Sequence, residues 1–338
     1  MHRFQFRKSS AKKCEQTSKT ADLPGVDFAN KILYNLMKKI AVAFIVFFFS
    51  WSSAQTKKKS SDEQPFIKLN QKYINSLEGE DDNTNEDLHI NTFRERFNLL
   101  NQNTALNIDY NDITYTYVKK YLSYRWYGKI IGLSAYYFPL FESKLAQYGM
   151  PLELKYLAVV ESALNPRAGS WAGAKGLWQF MPATGGQFGI RQNQYINVFF
   201  DPMANTDAAV RYLRDLYKEF KDWNLAISAY NCGSGNVRKA IKKAGSKNYW
   251  TVRPFLPRET QAYVPSFIAV NYMFNFYKLH NIKPMYFKLS FNDMKIVKIN
   301  DTTSFQELGK SYNIRLLRFA NPQFITDVIP VGSIVYVR

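Results

Sequence analysis

A glutamate inside an apolar helix is the feature that most constrains this chain. Residues 151–164, PLELKYLAVVESAL, begin with proline, which is favoured at the first helical position, and their apolar side chains recur at helical spacing. Glu161 stands where the next apolar residue of the stripe is due, between Ala158 and Leu164. Because burial raises the pKa of a carboxyl group, the pattern predicts a glutamic acid that stays protonated near neutral pH. General-acid cleavage of a glycosidic bond requires such a carboxyl group.

The alternative interpretation is that Glu161 lies at the end of the helix and reaches water. Three further blocks of sequence favour a site instead. They are Ser170–Gly185 (SWAGAKGLWQFMPATG), Ala229–Val237 (AYNCGSGNV) and Glu259–Pro265 (ETQAYVP).

The residue types of these blocks suit a groove that holds a sugar. The small residues Gly173, Ala174 and Gly176 allow the backbone to approach closely, as at the floor of a groove. Gln179 can both donate and accept hydrogen bonds, which suits acetamido and hydroxyl groups. Each feature also has a purely structural explanation, since the glycines can mark turns and Gln179 can tie a loop. In the same way, Tyr230 can be a core residue with a satisfied hydroxyl group.

The four segments, in this order, resemble the soluble lytic murein transglycosylase family, in its membrane-bound D type. The family pattern is Glu-Ser, then Gly-Leu-Trp-Gln-x-x-Pro, then Ala-Tyr-Asn-x-Gly, then Glu-Thr-x-x-Tyr-Val, and the resemblance covers roughly residues 140–280. It implies a mainly α, lysozyme-like catalytic domain, expected at 91–283 and opened by aromatic-rich helices. It also implies that Glu161 is the catalytic acid and base and that Glu259 has a supporting role. The residues implied to bind the glycan or orient the carboxyl group are Ser162, Gln179, Tyr230, Asn231 and Tyr263.

This chain departs from the family pattern at three places. Cys232 takes a position that alanine usually fills, the segment 184–189 lacks the basic residue often found after Thr-Gly, and residues 197–202 replace a more charged loop. These changes concern the contacts with the substrate strand and not the acid.

A second catalytic carboxylate is not evident, although most glycosidases use two. Glu153 lies near the predicted helix start, where the helix dipole favours an acidic residue. Asp201 precedes Pro202 and fits the N-cap of a helix that includes residues 208–220. The resemblance implies a one-acid mechanism in which the N-acetyl group of the substrate stabilises the sugar cation.

The segment 37–54 predicts export to the periplasm or cell envelope. It has a basic start, an apolar run of about twelve residues and a small-residue cleavage site, Ser52-Ser-Ala54, which together are typical of a signal peptide. Residues 1–36 are interpreted as an over-extended start and 55–90 as a flexible linker. A short internal membrane anchor is the alternative, although about twenty apolar residues are needed to span a bilayer.

Composition narrows the choice of ligands and partners. The chain has two cysteines, Cys14 and Cys232, and three scattered histidines, so we expect no internal disulfide after cleavage, no metal and no other cofactor. The net charge is +18, and residues 1–54 carry nine Lys/Arg and three Asp/Glu, which leaves +12 on the remainder. We expect peptidoglycan glycan strands and an anionic envelope surface as partners, and no nucleic acid, because the basic residues are scattered. A solvated basic surface is the alternative explanation.

The last residues predict a small α+β module at 284–338. The expected order is strand, helix, helix, strand, at 294–299, 301–312, 316–322 and 331–337, and it resembles a LysM glycan-binding module. Asn300-Asp-Thr302 replaces the usual Gly-Asp-Thr opening. The alternative is a small domain that only braces the catalytic one.

The resemblance therefore implies an enzyme that cleaves the β-1,4 bond between N-acetylmuramic acid and N-acetylglucosamine and leaves 1,6-anhydromuramoyl products. One alternative is a goose-type muramidase that hydrolyses the same bond with water. The other is a glycan-binding scaffold without activity, which the intact pair Glu161-Ser162 disfavours.

Overall fold

The computed structural model describes residues 90–102, 104–124, 127–285 and 287–338. All of them belong to one unit of the chain, Ser60–Arg338. The over-extended start, the signal peptide at 37–54 and nearly all of the linker expected at 55–90 lie outside the described residues. Among the described helices, none is both long enough and apolar enough to cross a membrane.

The described part of the chain is mainly helical, as the sequence predicts. The helices are, in order, α1 (Ile90–Gln102), α2 (Asp112–Leu122), α3 (Tyr127–Gln147), α4 (Tyr156–Ser162), α5 (Pro182–Gln187), α6 (Pro202–Phe220), α7 (Trp223–Cys232), α8 (Ser234–Ala244), α9 (Tyr249–Val252), α10 (Arg258–Phe276), α11 (Phe305–Leu308) and α12 (Ile314–Ala320). The strands are β1 (Lys295–Lys298), β2 (Thr303–Ser304), β3 (Val328–Ile329) and β4 (Ile334–Val337).

Helix α10 lies at the centre of the helical part of the structure, α1 to α10. Every residue from 263 to 273 is buried, as expected for a helix that is apolar on all sides. It packs against α2, α4 and α7. The aromatic-rich leading helix α1 buries Phe93 and Phe97 in the same core, which confirms the expected packing of that segment. Side chains on α10 therefore face several other helices at once.

The helix predicted at 151–164 is shorter than expected. Residues Leu152–Lys155 form a 3-10 turn, so α4 begins only at Tyr156. It ends at Ser162, because the next two residues have left-handed backbone angles. Pro151 precedes the 3-10 turn and is not the first residue of an α-helix, because the following residues wind too tightly for α-helical hydrogen bonds.

The predicted apolar stripe of this segment is confirmed. Its four members are fully buried: Leu154, Leu157, Ala158 and Leu164. Glu161 lies on that stripe, in the last turn of α4. Both interpretations of the sequence therefore hold in part, because Glu161 is near a helix end and also faces the core.

The C-terminal module has the predicted order of strand, helix, helix and strand. Strand β1 pairs with β4 in an antiparallel manner, with Ile296 opposite Tyr336. The short strands β2 and β3 form a second antiparallel pair that the sequence did not indicate. Ser304 caps α11 by accepting a hydrogen bond from the backbone N–H of Glu307, at the predicted position.

The connection into this module is packed tightly against α3. The backbone N–H of Met285 donates to the carbonyl of Gly128 over 3.1 Å. A Cβ atom on Gly132 would lie 1.6 Å from the carbonyl oxygen of Met285, which only glycine permits. The segment 283–285 therefore packs directly on the helical part of the structure.

We expect Gly132→Ala to destabilise the protein by about 2 kcal/mol or more, because the added methyl group overlaps the backbone at Met285. The free energy of unfolding in urea measures this. Gly186→Ala is the matched control, since its Cβ would meet no atom within 4 Å. Equal stabilities for the two variants would contradict the packing of segment 283–285 against α3.

Candidate active site

The carboxyl group of Glu161 meets the side chain of Tyr263. Glu161 comes from the last turn of α4, and Tyr263 comes from the buried part of α10. The Tyr263 hydroxyl donates a hydrogen bond to Oε1 of Glu161. Because α4 packs on α10, two blocks that lie 102 residues apart in sequence meet at one point. The structure thus brings together two of the residues that the sequence singled out.

The electrostatic environment of Glu161 favours its protonated form. Removal of water from the carboxyl group raises its pKa to about 7. The hydrogen bond from Tyr263 works in the opposite direction, and the negative charge of Glu259 adds a smaller rise. Glu161 as a residue is half-buried and not fully enclosed. The direction of the pKa shift is the one that the sequence predicts.

Tyr230 lies beside the same carboxyl group. Burial raises the pKa of Tyr230, and the charge of Glu161 contributes to that rise. The hydroxyl group of Tyr230 donates to the backbone carbonyl of Trp178 over 2.7 Å. Tyr230 therefore has a satisfied hydroxyl, as one interpretation of the sequence proposed, and it still forms part of the surroundings of Glu161.

Ser162 and Gln179 both tie backbone segments together. The Ser162 hydroxyl group is 3.0 Å from the carbonyl oxygen of Ala158 and 2.8 Å from that of Leu177. The side-chain amide of Gln179 donates to the carbonyls of Ala168 and Gly176 over 3.2 and 2.8 Å. The contacts of Gln179 correspond to the loop-tying interpretation, because both of its partners lie within the segment 168–180. The contact of Ser162 with Leu177 holds that segment against the end of α4.

The segment 168–180 folds back on itself as two isolated antiparallel bridges, Gly169 with Lys175 and Lys175 with Phe180. Gly176 has a φ of +86°, and a Cβ there would lie 2.0 Å from the carbonyl oxygen of Phe199. The close backbone approach that the small residues predict is thus present at Gly176. We refer to residues 168–180 as the site hairpin.

Asn231 and Glu259 lie at the junction of α7 and α10. The Thr260 hydroxyl donates to Oδ1 of Asn231 over 2.7 Å, so the two blocks are joined there as well. Glu259 is exposed and lies one turn before Tyr263 on α10. Cys232 is half-buried, and burial raises the pKa of its thiol, so it stays protonated near neutral pH.

Trp178 is a central residue of this region that the sequence analysis did not single out. It is fully buried, its backbone N–H donates to Oδ1 of Asn205, and its indole N–H donates to Oγ1 of Thr206, each over 3.0 Å. Its carbonyl accepts from Tyr230. The available signal was a large tryptophan between Leu177 and Gln179 in a glycine-rich block. Its role could not be predicted, because its hydrogen-bond partners lie on another helix, α6.

Comparison with known proteins shows which families and structures this chain is similar to. Residues 139–252 match the family model described as Transglycosylase SLT domain. The chain is 37% identical over 172 residues to membrane-bound lytic murein transglycosylase D of Escherichia coli strain K12, a match that covers 49% of this chain and 38% of that protein. It is 34% identical over 121 residues to membrane-bound lytic murein transglycosylase C of Glaesserella parasuis serovar 5 strain SH0165, which covers 31% of this chain and 33% of that protein. The crystal structure of the 70 kDa soluble lytic transglycosylase SLT70 from Escherichia coli aligns with 26% identity and a TM-score of 0.37, over 44% of this chain and 25% of that one.

The chain thus spans less than half the length of these two curated relatives. The matched family segment contains Glu161 and Tyr230, whereas Glu259 and Tyr263 follow it. The family match at residues 139–252 and the 37% identity thus agree on what this chain is similar to, the transglycosylase SLT domain family.

Proposed function

We propose that this protein is a peptidoglycan lytic transglycosylase that cleaves the β-1,4 bond between N-acetylmuramic acid and N-acetylglucosamine. The observation that carries the proposal is the carboxyl group of Glu161, which burial holds at a pKa of about 7 beside Tyr263 and Tyr230. The relatives are named lytic murein transglycosylases, which supports the same reaction. A pKa near the working pH suits a group that must first donate and then accept a proton.

Glu161 acts first as the general acid. The Tyr263 hydroxyl donates to Oε1, so the acid proton resides on Oε2. This arrangement gives the proton a defined position from which it passes to the oxygen of the glycosidic bond. As the bond from that oxygen to C1 of muramic acid breaks, positive charge develops on the sugar, and the N-acetyl group of the substrate stabilises it.

Glu161 then acts as the general base. The resulting carboxylate takes the proton from the C6 hydroxyl of the same muramic acid, and the C6 oxygen forms a bond to C1. The leaving N-acetylglucosamine retains the proton that Glu161 donated first, and no water is added. Intramolecular attack is favoured over attack by water because the two reacting atoms belong to one sugar. The product ends in 1,6-anhydromuramic acid, and Glu161 is protonated again.

Hydrolysis, as in a goose-type muramidase, is the second candidate, and one observation favours it. Glu259 lies one turn from Tyr263 on α10, and its charge influences the pKa of Glu161. An exposed carboxylate at that position can in principle activate a water molecule. The nature of the reducing end in the product distinguishes the two reactions.

We propose the cell envelope as the place of action. The relatives are named membrane-bound, and the predicted signal peptide at 37–54 leads to the periplasm. An anionic envelope surface suits the excess of basic residues. Glycan binding by the C-terminal module remains a hypothesis that rests on its LysM-like order of elements.

We expect Glu161→Gln to reduce the cleavage of purified peptidoglycan by a factor on the order of 10² or more, because the amide cannot donate the proton. Mass spectrometry of the wild-type products should find 1,6-anhydromuramoyl ends. Glu153→Gln makes the same chemical change in the neighbouring 3-10 turn and should retain activity. A fully active Glu161→Gln enzyme would place the acid elsewhere, and reducing muramic acid ends would identify hydrolysis.

The pH dependence tests the protonation state of Glu161. Because the acid form starts the reaction and its pKa is about 7, kcat/KM should fall as the pH rises through about 7. Tyr263→Phe removes the hydrogen bond that lowers this pKa, so its profile should fall at a higher pH. Glu259→Gln removes a negative charge that raises it, so its profile should fall at a lower pH. Profiles that coincide for all three proteins would refute this account of the acid.

A further inference from the structure

We propose that the C-terminal module positions the active site and that Tyr336 is one of the residues through which it does so. The inference rests on the proposed function, because positioning matters only if Glu161 takes part in a reaction. A series of direct contacts leads from Tyr336 to the end of α4. Separately from this series, Arg167 connects the same module to the start of the site hairpin.

The first contact joins the module to the start of α6. Tyr336 lies on β4 with 2% of its surface exposed. Its hydroxyl group is 2.9 and 3.1 Å from the two carboxylate oxygens of Asp201. Asp201 is the N-cap of α6, and one of these oxygens also accepts from the backbone N–H groups of Met203 and Ala204. A residue of the last strand therefore stabilises the cap of a catalytic-domain helix.

The second contact passes from α6 to the site hairpin. One turn after the cap, Asn205 and Thr206 are fully buried. They accept hydrogen bonds from the backbone N–H and the indole N–H of Trp178. The position of the first turn of α6 thus determines the position of Trp178.

The third contact reaches the catalytic glutamate's neighbour. The carbonyl of Leu177, next to Trp178, is 2.8 Å from the Ser162 hydroxyl, and Ser162 follows Glu161 directly. The carbonyl of Trp178 accepts from Tyr230, whose pKa responds to the charge of Glu161. A shift of α6 is therefore transmitted to Ser162, the residue after Glu161, and to Tyr230.

Arg167 provides an independent connection between the module and the site hairpin. Its guanidinium donates to the carbonyls of Pro322 and Phe324 over 3.0 and 2.8 Å. Phe324 also forms an antiparallel bridge with Ile196, and the backbone N–H of Asn197 donates to the carbonyl of Gln323. Arg167 immediately precedes the site hairpin, so the module holds the start of the hairpin directly as well as its far end through α6.

The packing of the module supports a positioning role more than an independent binding role. Phe291, Phe319 and Tyr336 belong to the same buried core as the catalytic helices. The aromatic ring of Phe319 packs against Tyr136 of α3 with 4.8 Å between ring centroids. A second, smaller core around Phe305 and Ile329 belongs to the module itself. This arrangement corresponds to the bracing alternative that the sequence left open.

The test compares two variants, in each of which one tyrosine of the module loses only its hydroxyl group. Tyr336→Phe should lower kcat on soluble, uncrosslinked glycan strands by roughly 10-fold and leave KM within about 2-fold, because small displacements of reacting groups lower the rate of the chemical step. Tyr312→Phe, in the same module, is the control and should retain the wild-type kcat. Asp201→Ser keeps a helix cap but is too short to reach Tyr336, and it should reproduce the loss. The double variant Tyr336→Phe/Asp201→Ser should lose no more than the larger of the single losses, because both interrupt one connection.

A second readout does not depend on activity. Hydrogen exchange at the amide and indole N–H groups of Trp178 should be faster in Tyr336→Phe than in wild type and unchanged in Tyr312→Phe. Wild-type kcat and unchanged exchange in Tyr336→Phe would overturn the proposal. A rise in KM with unchanged kcat would overturn it in favour of glycan binding by the module. If wild type fails to cleave glycan, the proposed reaction is wrong, and the exchange at Trp178 still decides whether Tyr336 positions the hairpin.

Discussion

The hydrogen bond between Tyr263 and Glu161 joins α10 to α4 at a carboxyl group that has been removed from water. A pKa raised from 4.5 to about 7 corresponds to roughly 3 kcal/mol that the ionised form costs in the folded protein. For this group, stability is greatest below the ordinary pKa and is lost as the pH rises through about 7. The buried residues of α10 and of the stripe on α4 offset that cost through the apolar area that they remove from water.

The backbone around the site is unusual for residues other than glycine. Ala163, Leu164 and Gln179 have φ values of 50°, 63° and 47°, although none of them is glycine. Such left-handed residues cost on the order of 1 kcal/mol or more each, and they persist where surrounding contacts hold them. Here the buried side chain of Leu164 and the amide contacts of Gln179 provide those contacts. The sharp turn after α4 leaves Glu161 in the last turn of its helix, where one side remains accessible.

The C-terminal module is joined to the catalytic part by the core and not only by the chain. Segment 283–285 contacts α3 where Gly128 and Gly132 leave room for its backbone. Buried Asn321 donates to the carbonyl of Tyr336 over 2.7 Å and accepts from its backbone N–H over 2.8 Å, which holds β4 in place. Close backbone packing therefore joins segment 283–285 to α3, and the hydrogen bonds of Asn321 hold β4 within the module.

The sequence by itself determined the local features of this protein. Helical spacing located the stripe that contains Glu161, a Pro after Asp201 indicated the cap of α6, and alternation and capping residues predicted the order of elements in the C-terminal module. Spacing within one segment reports which face of that segment is buried, so these features could be predicted.

Only the tertiary structure decided which distant groups meet. It paired Tyr263 with Glu161 across 102 residues and Tyr336 with Asp201 across 135. It also decided that Ser162 and Gln179 tie the site hairpin. These outcomes depend on how whole helices pack and on the direction of single hydrogen bonds, because a polar side chain of given type can equally face a ligand, a loop or the core. That choice is made by three-dimensional packing, and local sequence contains no record of it.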